Sequence, residues 1–246
     1  ALHRSGDLVY EPHPLDARGR HALLQPPAIH PAVRGFVPPG GVAIDVGANL
    51  GEWTVPLARR VGPAGRVLAL EPAPRAAKAL GRTLAANALA QAELVRCALG
   101  DHDGETEFAI PIVTSARADT GTAHIGAAAA GHEVLTVPLR SLDALAAERR
   151  IDRIDLIKID VEGHERAVLD GAAASLARFR PALVLETGHE RAGDREAIGD
   201  RLAGLGYRML GVLLDFGMAD ADWPAYAACA PPFRPGDAHN LLLVPR

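Results

Sequence analysis

The feature that most constrains the fold is the stretch Val42–Gly51, which has the sequence VAIDVGANLG. A run of β-branched and apolar residues ends at an aspartate, passes through a turn of small residues and leads into an amphipathic segment, 52–60. This pattern predicts a strand, a tight loop and a helix, the opening of a nucleotide-type α/β domain. Gly47 and Gly51 would let a ligand approach the backbone, and the helix would offer it unpaired N–H groups.

A second strand pattern narrows the kind of ligand. The G-x-x-x-G spacing at Gly47 and Gly51 does not meet the dinucleotide fingerprint G-x-G-x-x-G, and the turn carries no phosphate-binding lysine. Residues 67–71 form an apolar run that ends at Glu71. An acid roughly twenty residues after the glycine turn is where an α/β domain binds ribose hydroxyls. The pattern therefore predicts a nucleoside-containing ligand.

A third landmark is IDLIKIDVEGHE at residues 154–165. Together with IDVGANLG (44–51), LEP (70–72) and PALVLE (181–186), it makes the chain resemble the FkbM-type S-adenosylmethionine-dependent methyltransferases. The resemblance runs from about residue 41 to residue 186 and more loosely to the C-terminus. It implies an α/β fold of class I methyltransferase (Rossmann-like) architecture. That architecture has a seven-stranded, mostly parallel sheet, helices on both faces and an antiparallel last strand.

The domain organisation follows from the same patterns. Residues 41–246 are predicted to form a single methyltransferase domain, and the proline-rich residues 1–40 an irregular N-terminal segment. The resemblance implies that this segment borders the site. Within 103–140, two strand patterns (107–110 and 134–137) enclose a loop rich in Ala, Gly and Thr, which we interpret as a surface loop and a candidate lid.

The resemblance implies S-adenosyl-L-methionine as the cofactor. Asp45 would meet its ammonium group or an ordered water, Glu71 its ribose, and Asn49 with Thr54 its methionine carboxylate. Either Ala98 or Asp101 would contact the adenine. The complete set of predicted cofactor-binding residues is Asp45, Gly47, Ala48, Asn49, Gly51, Thr54, Glu71, Ala98, Asp101 and Asp160.

Four residues are the candidates for catalysis. Asp160 and Glu162 follow a buried strand, and Glu186 and His189 come from the end of the next strand pattern. Ligands bind at this edge of open α/β sheets, and histidine is the natural base near neutral pH. We expect Asp160 at the reacting centre, His189 as the acceptor's base, and Glu162 or Glu186 stabilising the imidazolium. The same four residues could instead hold a divalent cation, but without a paired-aspartate signature no metal is predicted.

Composition limits the partners. The chain has 246 residues, 48% of them hydrophobic, and a net charge of −4, which argues against a nucleic-acid binder. No apolar run is long enough to span a membrane, and residues 1–20 do not resemble a signal peptide, so a cytoplasmic location is expected. Cys97 and Cys229 form no C-x-x-C pair and indicate neither a zinc site nor a disulfide framework. A homo-oligomer is compatible with the sequence.

The resulting hypothesis is O-methylation of a hydroxyl on a small molecule, sugar or natural product, as in natural product biosynthesis. A nicotinamide-dependent oxidoreductase is the first alternative, which the missing third glycine and the acidic D-V-E-G-x-E element (160–165) disfavour. The second alternative is a cofactor-binding protein without transfer activity.

Overall fold

The structure is a computed structural model, and it describes residues 3–5, 8–10, 28–114, 117–118, 123–126, 130–188, 192–215, 217–228 and 239–246. The strands in chain order are β1 (His3–Ser5), β2 (Leu8–Tyr10), β3 (Val42–Val46), β4 (Arg66–Leu70), β5 (Ala92–Val95), β6 (Ala98–Leu99), β7 (Gly104–Thr114), β8 (Arg117–Ala118), β9 (His124–Ile125), β10 (His132–Arg140), β11 (Leu156–Ile159), β12 (Ala182–Thr187), β13 (Tyr207–Leu214), β14 (Gly217–Asp220) and β15 (His239–Pro245). The helices are α1 (Pro31–Arg34), α2 (Thr54–Val61), α3 (Pro74–Ala86), α4 (Leu142–Glu148), α5 (Glu165–Gly171), α6 (Ala173–Phe179), α7 (Ala192–Gly204) and α8 (Trp223–Ala227).

The main sheet has eight strands in the spatial order β14-β13-β15-β12-β11-β3-β4-β5. Strands β5, β4, β3, β11 and β12 are parallel, and β15, the last strand, lies antiparallel between β12 and β13. The predicted fold class is therefore confirmed. The predicted count of seven strands is one too low, because β14 forms an antiparallel hairpin with β13 at the edge of the sheet.

Both faces of the central strands are buried, which explains their nearly continuous apolar sequences. Alternate residues of the strands enter two separate clusters. Ile44, Leu68 and Ile157 belong to one, and Ala43, Val67 and Leu156 to the other. The second cluster also contains Val55 and Leu57 of α2, which ties the helix that follows the glycine turn to that face of the sheet. The carboxyl ends of β3, β4 and β11 are thereby brought to one edge.

A second sheet is inserted after β5. Its strands follow the order β6-β10-β7-β8, with β9 also pairing with β7. The segments predicted as a strand pair in 103–140 form β7 and β10, which are antiparallel over eight residue pairs. The chain leaves the main sheet after Val95, so that Ala98 and Leu99 pair with β10 instead. This brings the insertion against the carboxyl edge of the main sheet.

The N-terminal segment is more regular than predicted. Its described part contains β1 and β2, which pair with each other, and the short helix α1. The side-chain amide of Asn87 holds β2 against the end of α3: it accepts from Val9 N at 2.9 Å and donates to Val9 O at 2.5 Å. The Asn87 amide thus pairs with the backbone of β2 as a neighbouring strand would. A local sequence pattern does not reveal such a contact between distant parts of the chain. None of the helices within the described ranges is long and apolar enough to cross a membrane.

Candidate active site at the carboxyl edge of the main sheet

A cleft with about 560 Å³ of empty space opens where the carboxyl ends of β3, β4 and β11 meet the insertion. Six of the residues predicted from the sequence line it: Gly47, Asn49, Glu71, Ala98, Asp160 and Glu162. The predicted residues Asp45, Ala48, Gly51, Thr54, Asp101 and Glu186 are not among its lining residues. The predicted residues thus fall into two groups, six that line the cleft and six that do not.

Glu71 anchors the loop that follows β3. Its carboxylate accepts hydrogen bonds from the backbone N–H groups of Asn49 and Ala73, each at 2.7 Å. The side chain is nearly buried yet lines the cleft. Burial raises the pKa of this carboxyl to about 7, although the two N–H donors oppose the shift. Burial thus disfavours the ionised form of Glu71, while the backbone N–H groups that it organises hold its carboxyl group in place.

This raised pKa makes stability depend on pH. An unfolded Glu71 ionises near pH 4.5 but the folded one near 7, so the folded state binds more protons between these values. The free energy of unfolding should therefore increase as the pH falls from 8 to 5, by on the order of 3 kcal/mol for a shift of this size. Urea unfolding across this range measures it.

The matched variant Glu71→Gln should flatten this slope, leaving the smaller contribution of Asp45 and the opposing one of His164, whose pKa is lowered by burial. Several surface carboxylates have lowered pKa values, among them Glu93 with its partners Arg66 and Arg149. The contribution of these carboxylates to the free energy of unfolding is lost only as the pH falls through those low pKa values, below the range measured. A wild-type stability that rises steadily from pH 5 to 8, or an unchanged slope in Glu71→Gln, would contradict the prediction.

The two glycines of the turn permit close approaches within the protein. A Cβ atom on Gly47, whose φ is +77°, would lie 1.8 Å from the backbone oxygen of Asp160. A Cβ atom on Gly51 would lie 2.6 Å from Leu80 Cδ1. Gly47 therefore permits the turn to meet the end of β11, and Gly51 permits it to meet α3. Gly47 also lines the cleft, and its closeness to a ligand stays a prediction.

Asp45 and Thr54 form a buried pair beneath the turn. Thr54 Oγ1 donates to Asp45 Oδ2 at 2.5 Å, and both residues are almost completely buried. Burial raises the pKa of Asp45 to about 6, opposed by the Thr54 hydroxyl and by the charge of Lys158. Neither side chain lines the cleft, so the predicted direct contacts with a ligand's ammonium and carboxylate are not supported. The pair instead connects β3 to the first turn of α2.

The far end of the cleft is apolar. Cys97, Ala98 and Leu99 form one wall, and the insertion provides Phe108, Ala123 and Ile125. Of the two candidates for a contact with adenine, Ala98 lies in this wall. Asp101 does not: its side chain is 57% exposed and pairs with His102 at 2.6 Å. The wall formed by the insertion was not predicted, although the aromatic residue Phe108, at an inward position of strand 107–110, was a usable signal.

Lys158 of β11 lies beside the acidic turn that follows this strand, and its role was not predicted from the sequence. Lys158 Nζ lies 3.4 Å from Asp160 Oδ2 and 3.4 Å from Glu186 Oε2. Glu162 lines the cleft with a φ of +51°, and Glu165 accepts from Gly163 N at 2.9 Å at the start of its own helix. The sequence signal for the role of Lys158 was the presence of a charged residue within the apolar run of β11. Asp160 and Glu186 are therefore brought together, as predicted, but through Lys158.

The remaining predicted residue, His189, lies outside the described residues. The alternative metal site cannot be assembled from its other members alone, because Asp160 and Glu186 already share the Lys158 ammonium. Within the described ranges no group of three or more His, Cys, Asp or Glu side chains has an arrangement suited to a metal ion.

A second, more open cavity lies at the same edge, on the side of β13 and β15. It contains about 960 Å³ of empty space. Trp53 at the start of α2 lines it, and the Trp53 ring centroid is 5.8 Å from Lys158 Nζ. Its other lining residues are Ala28, Ile29, His30, Pro31, Glu52, Pro56, Leu213, Leu214, Asp215 and Asn240. Lys158 and the carboxylates of Asp160 and Glu186 thus lie between this cavity and the cleft.

The architecture and the cleft define a class I methyltransferase fold. A solved structure of the methyltransferase FkbM from Methylobacillus flagellatus KT matches this fold with a TM-score of 0.53. The match has 16% sequence identity and covers 83% of this chain and 43% of that one. At this identity the likeness is evidence for the fold alone.

The family follows from the sequence itself. The model of the FkbM methyltransferase domain matches residues 45–209, and the chain belongs to this family, as the motifs predicted. A curated relative, the AMB antimetabolite synthetase AmbE of Pseudomonas aeruginosa, is 30% identical over 213 residues. The methyltransferase sdnD of Sordaria araneosa is 28% identical over 180 residues. These matches cover 70% and 61% of this chain, which spans about a tenth of the first relative and about two thirds of the second.

Proposed function

We propose that the protein is an S-adenosylmethionine-dependent methyltransferase that methylates a hydroxyl group of a small molecule. The observation that carries this proposal is the composition of the cleft. One surface combines Glu71, the apolar wall around Ala98 and the Asp160 carboxylate. These groups match, in order, a ribose, a purine face and a cationic reacting centre. The family of the chain points to the same reaction class.

The residues present fit S-adenosylmethionine. A carboxylate has about four acceptor sites, and Glu71 uses one hydrogen bond on each oxygen for the loop, which leaves capacity for two ribose hydroxyls. Phe108 and the Ala98 strand offer an apolar slot for the adenine. When bound, the cofactor supplies an activated methyl group on a positively charged sulfur.

The chain's own residues would then do the remaining work. Asp160 provides negative charge at the edge of the cleft, and Phe108 and Ile125 exclude water from its apolar end. In-line methyl transfer needs mainly positioning and, for a hydroxyl acceptor, removal of one proton. We assign that proton to an imidazole nitrogen of His189, two residues beyond the end of β12, with Glu162 as the carboxylate that stabilises the imidazolium. Glu186 already contacts Lys158.

The second cavity is the proposed acceptor site. Ala28 to Pro31 lie in its wall, which supports the expectation that the N-terminal segment borders the acceptor. Among the described residues, its lining includes two acids, Glu52 and Asp215, and neither lysine nor arginine. This lining favours an uncharged acceptor over an anionic one, and Trp53 offers a ring face on which a sugar or other ring can stack. The name of the relative AmbE, an antimetabolite synthetase, supports a natural product as acceptor.

Two measurements test the proposal. Calorimetry should detect binding of S-adenosylmethionine and no comparable binding of NAD, the cofactor of the alternative oxidoreductase. Release of S-adenosylhomocysteine should then be measured over a panel of uncharged hydroxyl compounds, with matched phosphorylated compounds as controls. Binding without release over a broad panel would favour the alternative of a cofactor-binding protein without transfer activity.

A substitution at Glu71 tests the assignment of the ribose. Glu71→Ala is expected to weaken cofactor binding by about 1–3 kcal/mol, the range for hydrogen bonds to a charged group. The loss should be equal for S-adenosylmethionine and S-adenosylhomocysteine, since both contain the same ribose. Glu93→Ala, at the surface of β5, is the control and should leave both affinities unchanged. A Glu71→Ala variant that discriminates strongly between the two compounds would contradict the assignment.

A further inference from the structure

Lys158 is a buried charge in the middle of the candidate site. It is one of only two lysines in the chain, whose other basic residues are arginines. The second lysine, Lys78, is exposed on α3, whereas Lys158 has 0% relative exposure. A fully buried lysine requires partners for its charge.

The partners of Lys158 come from two neighbouring strands. Its Nζ donates to the backbone oxygen of Ile159 at 3.2 Å and lies 3.4 Å from both Asp160 Oδ2 and Glu186 Oε2. The three hydrogens of an ammonium match these three acceptors. The Trp53 ring, with its centroid 5.8 Å away, closes the remaining side at a distance where a cation is attracted by the ring.

The strand register makes this cluster part of a polar row. Lys158 lies opposite Asp45 on β3 and opposite Val184 on β12, so that Glu186, two residues after Val184, is on the same face. Glu186 in turn lies opposite Asn240 on β15. The row therefore runs from Asp160, which lines the cleft, through Lys158 to Asn240, which lines the second cavity.

The Lys158 ammonium is the positive charge that compensates the carboxylates of this polar row. Without it, Asp160 and Glu186 would face each other with Asp45 close by, and like charges in a buried site favour uptake of a proton. The charge of Lys158 already lowers the pKa of Asp45, against the effect of burial. An arginine carries the same charge on a larger planar group, which matches two acceptors in one plane better than three around a point.

Building on the proposed function, we propose that Lys158 is a positioning residue of the methyl-transfer site. Its ammonium keeps Asp160 and Glu186 ionised and fixed at the ends of adjacent strands. Asp160 is thereby presented to the cofactor cleft as an anion, and Glu186 is held beside the acceptor cavity.

The test compares two compounds that differ at one charge. S-adenosylmethionine carries a sulfonium that S-adenosylhomocysteine lacks, so the ratio of their affinities reports the charge near Asp160. Titration of Glu71 acts mainly on the ribose, which both compounds share, so most of its effect cancels from this ratio, and the rest is common to the wild type and the variants. Calorimetry of both compounds from pH 5.5 to 8.0 measures the ratio. Within the described part of the chain, the titratable groups that face Lys158 or the carboxylates of Asp160 and Glu186 are Asp45, Glu71, Asp160, Glu162 and Glu186.

In the wild type the ratio should vary less than about threefold, since Lys158 compensates the row and Asp45, with a pKa of about 6, contributes the residual change. In Lys158→Met the affinity for S-adenosylmethionine relative to that for S-adenosylhomocysteine should rise more than about tenfold from pH 5.5 to 8.0. The reason is that one carboxylate of the row takes up a proton at the acidic end of this range. Lys158→Arg should restore most of the flat profile. Lys78→Met is the matched control and should behave as the wild type.

A charge-balanced variant covers the case in which Lys158→Met does not fold. Lys158→Met/Glu186→Gln removes one charge of each sign, and its ratio should be nearly as flat as that of the wild type. A Lys158→Met profile that stays flat, or a double variant that is as steep as expected for Lys158→Met, would overturn the proposal. Equal losses of both affinities with a flat ratio would do the same, because they indicate a purely structural role. Wild-type protein that binds neither compound would instead refute the proposed function.

Discussion

Gly47→Ala is expected to destabilise the protein by about 2–5 kcal/mol. A residue with a side chain at φ +77° costs about 1–2 kcal/mol for the left-handed conformation alone. The new methyl group would also lie 1.8 Å from the Asp160 backbone oxygen, and displacing packed backbone adds about 1–3 kcal/mol. Urea unfolding of the variant measures the total. A contact this close cannot relax by a side-chain rotation, because both groups belong to the strand ends.

Gly40 provides the matched control. Its φ is +75°, almost the same as that of Gly47, but nothing lies within 4 Å of the position that a Cβ would occupy. Gly40→Ala should therefore cost only the conformational part, about 1–2 kcal/mol. The difference between the two variants isolates the contact with Asp160. Equal destabilisation of both would show that the turn after β3 does not need close approach to the end of β11.

The second prediction concerns the acceptor's proton. His189→Ala is expected to lower turnover by about 10²–10⁴-fold, the range for removal of a general base. The affinity for S-adenosylmethionine should stay unchanged, since the proposed role of His189 is at the acceptor hydroxyl and not at the cofactor. Turnover is measured as release of S-adenosylhomocysteine with an acceptor found in the hydroxyl panel, and affinity by calorimetry on the same preparation.

His102→Ala is the control, because His102 is 67% exposed and pairs with Asp101 outside the cleft. It should retain wild-type turnover. If His189→Ala also turns over normally, the role of the base passes to the carboxylates beside the cleft, Asp160 and Glu162. Lys158 lies 3.4 Å from Asp160 and from Glu186 alike and stabilises both as anions, so Glu162 is the first carboxylate to test as the base.

Much of the fold and the position of the cleft could be predicted because the signals are local. The strand, turn and helix of 42–60 result from an apolar run, small residues and an amphipathic pattern that follow one another directly in the chain. Glu71 could be predicted for the same reason, because it ends a recognisable strand. Parallel strands separated by helices bring such ends to one edge, so the edge itself was also predictable.

The tertiary structure alone decided which of these residues face the cleft. Asp45 and Asp160 both end strands, but Asp45 is buried under Thr54 while Asp160 borders the cleft. The contact of Gly47 with Asp160 spans more than a hundred residues of sequence, and no local pattern encodes it. The importance of Lys158 depends on Glu186 lying on the same face of the next strand, which requires the strand order and register. A one-residue change of register would place the same side chains on opposite faces of the sheet. The sequence therefore determined which elements form and which reactive residues end them, and the packing of the elements determined which residues become partners.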